Sequence, residues 1–301
     1  MSVKTVKATI NGQEVTLTLN SSTGYWEATT TAPSTTSWAQ TDHKYGVSIT
    51  ATDNAGNSTT VDRTDATLGT SLQLRVLEKT APTISVTYPT ASAYVTNSKP
   101  TIKWTVTDAG SGIDTTTISV KVDSGTAVTS GITTTATTNG YTCQYTPSSA
   151  LSEGSHTIKF NVSDNDGNAA TEASVTFKVD TVPPSLSWTS PADGAYVNST
   201  TISIVGTTND DTSSPVTLTA KVGSGSAVTI PVSNGAFNST VTGSEGANTI
   251  VLTATDAAGK TTTITRTINV DTKAPTITEV TLTPNPVDAG ASYVIKVKVT
   301  D

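Results

Sequence analysis

One short pattern, repeated three times and each time followed by the same kind of joint, limits what this chain can fold into. The stretches VSITATDNAGNSTT (47–60), IKFNVSDNDGNAAT (158–171) and IVLTATDAAGKTTT (250–263) alternate apolar and polar residues, pass through Asp-x-x-Gly, and alternate again. Period-two alternation on both sides of such a turn describes a β-hairpin with one face buried. Gly56, Gly167 and Gly259 can take the positive φ that the turn needs, and Asp53, Asp164 and Asp256 can bond its backbone N–H groups. After each hairpin comes a proline joint: Lys79-Thr80-Ala81-Pro82-Thr83, Asp180-Thr181-Val182-Pro183-Pro184 and Asp271-Thr272-Lys273-Ala274-Pro275. Proline donates nothing to a ladder and extends the residue before it, so these read as short, stiff connections.

Repetition at this period means an array of similar modules. The joints divide the 301 residues into 1–79, 80–180, 181–271 and 272–301. Charged residues make up 14% and hydrophobic residues 34%. That is not the highly charged composition of a disordered chain, and the abundant threonine suits the solvent face of half-buried strands. In the second module, strands are expected near 83–88, 100–108, 117–123, 141–146, 156–163 and 173–179. Trp104 should fill the space between sheets, with Trp188 and Tyr196 giving similar bulk in the next module. Cys143 has no cysteine partner in the chain, so the modules must hold by packing.

The two ends are offset against the complete repeat. TVKATINGQEV near the start matches TISVKVDSGTAV, and GYWEATTTAP matches GYTCQYTPSS, so 1–79 lacks a counterpart of 80–108. Residues 272–301 supply only such an opening pair of strands. A two-stranded piece is not stable alone. Its inward candidates, Ile277, Val280, Tyr293, Ile295 and Val297, are therefore expected to complete a sandwich in trans, on the next copy or another subunit. Two other readings stay open: 1–79, with its insertion at 63–70, is a self-sufficient variant, or the tail belongs to a module that continues elsewhere.

At the Asp-Asn-Ala-Gly-Asn turn (53–57) and the Asp-Thr-x-x-Pro joint (180–184) the chain resembles bacterial immunoglobulin-like repeats, found in large surface adhesins and on bacteriophage tail proteins. The resemblance implies an all-β fold of tandem immunoglobulin-like β-sandwich modules arranged as a rod. It implies a structural or adhesive, non-enzymatic role. The expected partners are other virion or fibre subunits, further copies of the chain, and host-surface glycans. Because Met1 opens directly into a module without an apolar leader, the expectation is a virion tail, with a bacterial surface or secreted protein as the alternative.

In related repeats, acidic turns and joints take calcium, which implies Asp164, Asp166 and Asp180 as ligands. No cofactor is required by the fold, and since Asp256-Ala257-Ala258-Gly259-Lys260 forms the same turn with a cation nearby, turn chemistry is the competing reading. Net charge of -7 and the lack of Lys/Arg clusters exclude nucleic acid as a partner, and no apolar run is long enough for membrane insertion. His43 and His156 fall in different modules, with no nucleophile motif beside either. Asp210-Asp211 is an acid pair that could serve glycoside hydrolysis but reads as a solvated loop. Trp38, in STTSWAQ outside any alternating run, is the candidate glycan contact; a glycoside hydrolase accessory module is the remaining alternative.

Overall fold

A computed structural model describes residues 2–301. It divides into two compact units, 1–178 and 179–301. Among the described residues no helix is long and apolar enough to cross a membrane.

The first unit opens with β1 (Val3–Ile10), β2 (Gln13–Leu19), β3 (Trp26–Glu27), β4 (Tyr45–Asp53), β5 (Ser58–Val61) and β6 (Gln73–Leu74). These form one sheet, ordered β3-β2-β1-β4-β5, with β6 beside the start of β4. Pairing of Val6 with Leu17 and of Ala8 with both Val15 and Ile49 sets one apolar face. Only Val6, Tyr45 and Leu72 become buried hydrophobics, while Val15, Leu17, Trp26 and Ile49 stay half-buried. Among the described residues no second sheet covers that face.

The second module is a complete sandwich. Its strands are β7 (Thr83–Tyr88), β8 (Tyr94–Val95), β9 (Ile102–Thr107), β10 (Ile113–Val122), β11 (Ile132–Thr137), β12 (Gly140–Tyr145), β13 (Gly154–Asp164) and β14 (Ala173–Val179). One sheet runs β10-β13-β14-β8 and the other β11-β12-β9-β7. The inward residues of β13, Ile158, Phe160 and Val162, alternate with exposed or half-exposed ones as the sequence predicts. Trp104 is fully buried, 4.9 Å from the Phe160 ring. Burying such rings is the main source of stability in a module without disulfides. Cys143 is buried in the same core, and burial pushes its thiol pKa up to about 11, so it stays protonated. Strands β8 and β11 were not anticipated: β8 has two residues, and β11 is threonine-rich with both faces largely exposed.

The second unit holds β15 (Ser185–Ser190), β16 (Tyr196–Val197), β17 (Thr201–Asn209), β18 (Thr217–Val222), β19 (Val228–Ile230), β20 (Ala236–Thr242), β21 (Gly246–Thr255) and β22 (Thr261–Val270). They make a three-stranded sheet, β15-β17-β20, and a five-stranded sheet, β16-β22-β21-β18-β19. Between them lie Trp188, Ile204, Leu218, Phe237, Ile250 and Leu252, among others. Tyr196 corrects a sequence expectation: it is 78% exposed, because in this two-residue strand it is Val197 that packs against the core. Last come β23 (Thr276–Thr283) and β24 (Val294–Thr300), which pair only with each other.

Candidate metal centre

Two groups of three acids converge, one in each unit. In each, the first acid stands four positions before a joint proline, Pro82 or Pro184, the second directly follows the module's second long strand, and the third opens the Asp-x-x-Gly turn. The first group is Glu78, Asp108 and Asp164; the second is Asp180, Asp210 and Asp256. Within each, carboxylate oxygens lie within 4.8 Å of one another. The joint acid and the second acid are 30 positions apart in both, and Asp271 and Asp301 repeat that spacing.

The local structure explains the placement. Gly167 and Gly259 have φ of 92° and 85°, which turns the chain so that the aspartate at the head of the turn accepts from its backbone. Asp164 Oδ1 accepts from the N–H groups of Asp166 and Asn168, and Asp256 Oδ1 from that of Lys260. Asp210 Oδ1 accepts from the N–H groups of Thr212 and Ser213, and Asp108 Oδ1 from those of Gly110 and Gly112.

The groups differ in their remaining oxygens. In the first, Asn168 Nδ2 donates to Asp164 Oδ2 at 2.7 Å, and Glu78 Oε1 accepts from the Ser111 N–H. The unpaired turn of the first module works the same way: Asn57 Nδ2 donates to Asp53 Oδ2 and holds that carboxyl below the usual carboxylate range. In the second group Lys260 stands where Asn168 and Asn57 stand, and it has no side-chain amide to give. Asp180 Oδ2 and Asp256 Oδ2 are buried without a hydrogen-bond partner. Asp180 is 0%, Asp256 5% and Asp210 7% exposed.

Three buried carboxylates this close repel by about 3 kcal/mol per pair at an effective dielectric near 20. A buried polar atom left unpaired costs about 1–3 kcal/mol more. A cation between them relieves both. The donor set is oxygen only, which suits a hard divalent ion such as calcium and not zinc.

The three residues expected to bind calcium together are not brought together. Asp164 belongs to the first group and Asp180 to the second. Asp166 belongs to neither: its carboxylate accepts from the Thr36 hydroxyl at 2.6 Å and the Glu78 N–H at 3.1 Å, with Arg75 at 3.6 Å. It is a tie between the first and second modules. Glu78, Asp108, Asp210 and Asp256 were missed as members of these groups because each reads as ordinary turn or loop chemistry. For Glu78, Asp108 and Asp210 the recurring 30-position spacing was the available signal.

The other candidates are placed as follows. Trp38 is half-buried and stacks on His43 at 3.9 Å, and His43 Nδ1 contacts Trp38 O. One ring face is thus used internally. His156 is buried with both ring nitrogens engaged, by Asp123 Oδ2 and Ser152 O. Asp211 pairs with Asn209 while its neighbour Asp210 turns inward, so the two do not act as an acid pair. Ile277, Val280, Ile295 and Val297 line one face of the β23–β24 hairpin and are exposed; Tyr293 is exposed just before β24.

Comparison with known proteins agrees with this architecture. Residues 2–68 and 77–181 each match a family model described as a bacterial Ig-like domain, and 184–272 match the model for glucodextranase domain B. No curated protein matches the chain in sequence. Among solved structures, fibronectin(III)-like modules of CbhA from Clostridium thermocellum are 18% identical, with 63% of this chain and 94% of that one covered at a TM-score of 0.37. The D1-D2 structure of Rst is 15% identical, covering 64% and 100% at 0.38. A 1.5-MDa bacterial ice-binding adhesin is 21% identical, covering 90% and 87% at 0.33.

Proposed function

The chain is an immunoglobulin-like repeat protein, and from that premise we propose a non-catalytic structural role in which a divalent cation, calcium by its ligand chemistry, braces the third module at Asp180, Asp210 and Asp256. The observation that carries this is the pair of buried, unpartnered oxygens on Asp180 and Asp256. A cation there would tie the joint, the end of β17 and the β21–β22 turn to one point. Three chain segments would then lose their freedom together. Calcium takes six to eight oxygens, so the carboxylates would supply part of the shell and water or backbone carbonyls the rest.

Thermal unfolding of the whole chain in excess calcium and in chelator tests it. Binding to the folded state alone adds about 2.7 kcal/mol at a hundredfold excess over Kd. The transition of the third module should rise in calcium, and an identical melting curve in chelator would end the reading.

Modules of this kind serve on virion tails and on bacterial surfaces, and we favour the tail, where they would display a surface toward host glycans. The folding and the cation brace support either setting. Antibody labelling of assembled particles against labelling of cells separates them. The glycan contact, in this reading, is Trp38; a glycan array in which Trp38→Ala leaves every signal unchanged removes it.

A further inference from the structure

We propose that β20 of the third module pairs with β20 of a second copy, antiparallel about a two-fold axis, so that two copies associate side by side through one continuous sheet. The inference does not rest on the cation reading.

The third module lacks a strand that the second possesses. In the second, β12 lies between β9 and β11, and β11 pairs with it along its whole length, from Ile132 with Tyr145 to Thr137 with Gly140. In the third, β20 takes the place of β12 beside β17, but no strand follows it and it ends its sheet. The chain that could supply the missing strand is used elsewhere: β19 pairs with β18 in the opposite sheet, and residues 231–235 are all that separate it from β20. Bonds to β17 set the backbone phase of β20. The Gly243 N–H donates to Thr200 O and the Thr208 N–H to Gly235 O, both at 2.8 Å. Backbone groups alternate sides along a strand, so Asn238, Thr240 and Thr242 turn their N–H and C=O groups away from β17. Ala236 turns the same way and already exchanges both bonds with Ser233. The other three find no backbone partner among the described residues, and their side chains are exposed.

This edge is also unguarded, unlike the others of the same module. There β16 has two residues, β19 has three and runs into Pro231, and β15 breaks register between Trp188 and Ser190 just before Pro191. Short strands, prolines and bulges of this kind keep edges from pairing. In contrast, β20 has seven residues, no charge, no proline and an unbroken register to β17 from Thr242 with Thr201 to Ala236 with Thr207. A groove of about 800 Å³, lined by Val222, Val228, Thr240 and Thr242 among others, opens at the same edge, so no part of the third module blocks it.

The occupant that the edge describes is its own copy. With Thr240 opposite its counterpart, Asn238 meets Thr242 in both directions, and each pair exchanges both backbone bonds. Every unpaired group of the edge is then used. Neither strand carries a charge, so the self-pairing meets no like-charge repulsion. Threonine hydroxyls set against each other already brace this chain's own ladders: Thr50 with Thr60 at 2.9 Å, Thr83 with Thr107 at 2.7 Å and Thr157 with Thr176 at 2.9 Å. Because both copies offer the same surface, the contact is isologous and closes at two copies.

Sedimentation of the whole chain over a range of concentrations tests this. The native chain should pass from one copy to two and go no further. Thr240→Lys sets like charges against each other at the centre of the new ladder, and Thr240→Pro removes a donor that the module itself does not use. Both should be monomeric, and the melting of the third module should be unchanged in Thr240→Lys. The control is Thr134→Pro, because β11 is another uncharged edge strand and the Thr134 N–H likewise points away from its neighbour β12; it should leave the dimer intact. Amide exchange at Asn238, Thr240 and Thr242 should slow as the dimer forms. A native chain that stays monomeric at its solubility limit, a dimer that survives Thr240→Lys, or one lost in folded Thr134→Pro would overturn the proposal.

Discussion

The two acid groups share position, spacing and donor geometry, yet only the second buries two carboxylate oxygens without a hydrogen-bond partner. Two residues make the difference. Asn168 gives a side-chain N–H to Asp164 where Lys260 gives none to Asp256. Glu78 is one methylene longer than Asp180 and lies against Gly110, where a Cβ would collide with its carboxylate; the equivalent of Gly110 in the other group is Thr212, tolerated because Asp180 is shorter. A turn can therefore satisfy its own aspartate or leave the oxygen for something else, and the choice is made four residues downstream.

The comparison can be broken in four ways. The largest effect belongs to cation removal: chelator should lower the stability of the third module by roughly 2.7 kcal/mol relative to calcium at a hundredfold excess over Kd and leave the second nearly unmoved. Calorimetry that resolves the two transitions reads this. Next, Asn168→Lys should free Asp164 Oδ2, cost about 1–3 kcal/mol in chelator and strengthen the second module's response to calcium, followed by the same scans. The reverse exchange, Lys260→Asn, should pair Asp256 Oδ2, stabilise the metal-free third module by about 1 kcal/mol and shrink its calcium shift. Smallest is Trp38→Ala, outside both groups, which removes one stacked pair and should cost about 0.5 kcal/mol by denaturant titration, with both calcium responses intact.

Much of the fold was legible in the chain because hairpins announce themselves locally. The strands at 83–88 and 173–179 appear at the residues expected, and Trp104 is at the core. Tyr196 was misread because two residues are too few for alternation to show which one faces in. β11 was missed because Ile-Thr-Thr-Thr-Ala-Thr has no apolar period: it is held by its ladder to β12 and not by burial. Of the candidate ligands, Asp164 and Asp180 were visible as turn and joint acids, but grouping them with Asp166 took neighbours in sequence for neighbours in space.

The sequence by itself determined the repeat, the turns with their glycines and aspartates, the stiff joints and the offset between the two ends, since each is encoded within a few residues by φ preference, alternation or the missing proline N–H. Only the tertiary structure decided which acids meet, because Asp180, Asp210 and Asp256 come together through strand pairing across 76 positions of chain. It also decided that two of their oxygens are buried without partners, since that depends on how closely the β-sheets wrap the turn.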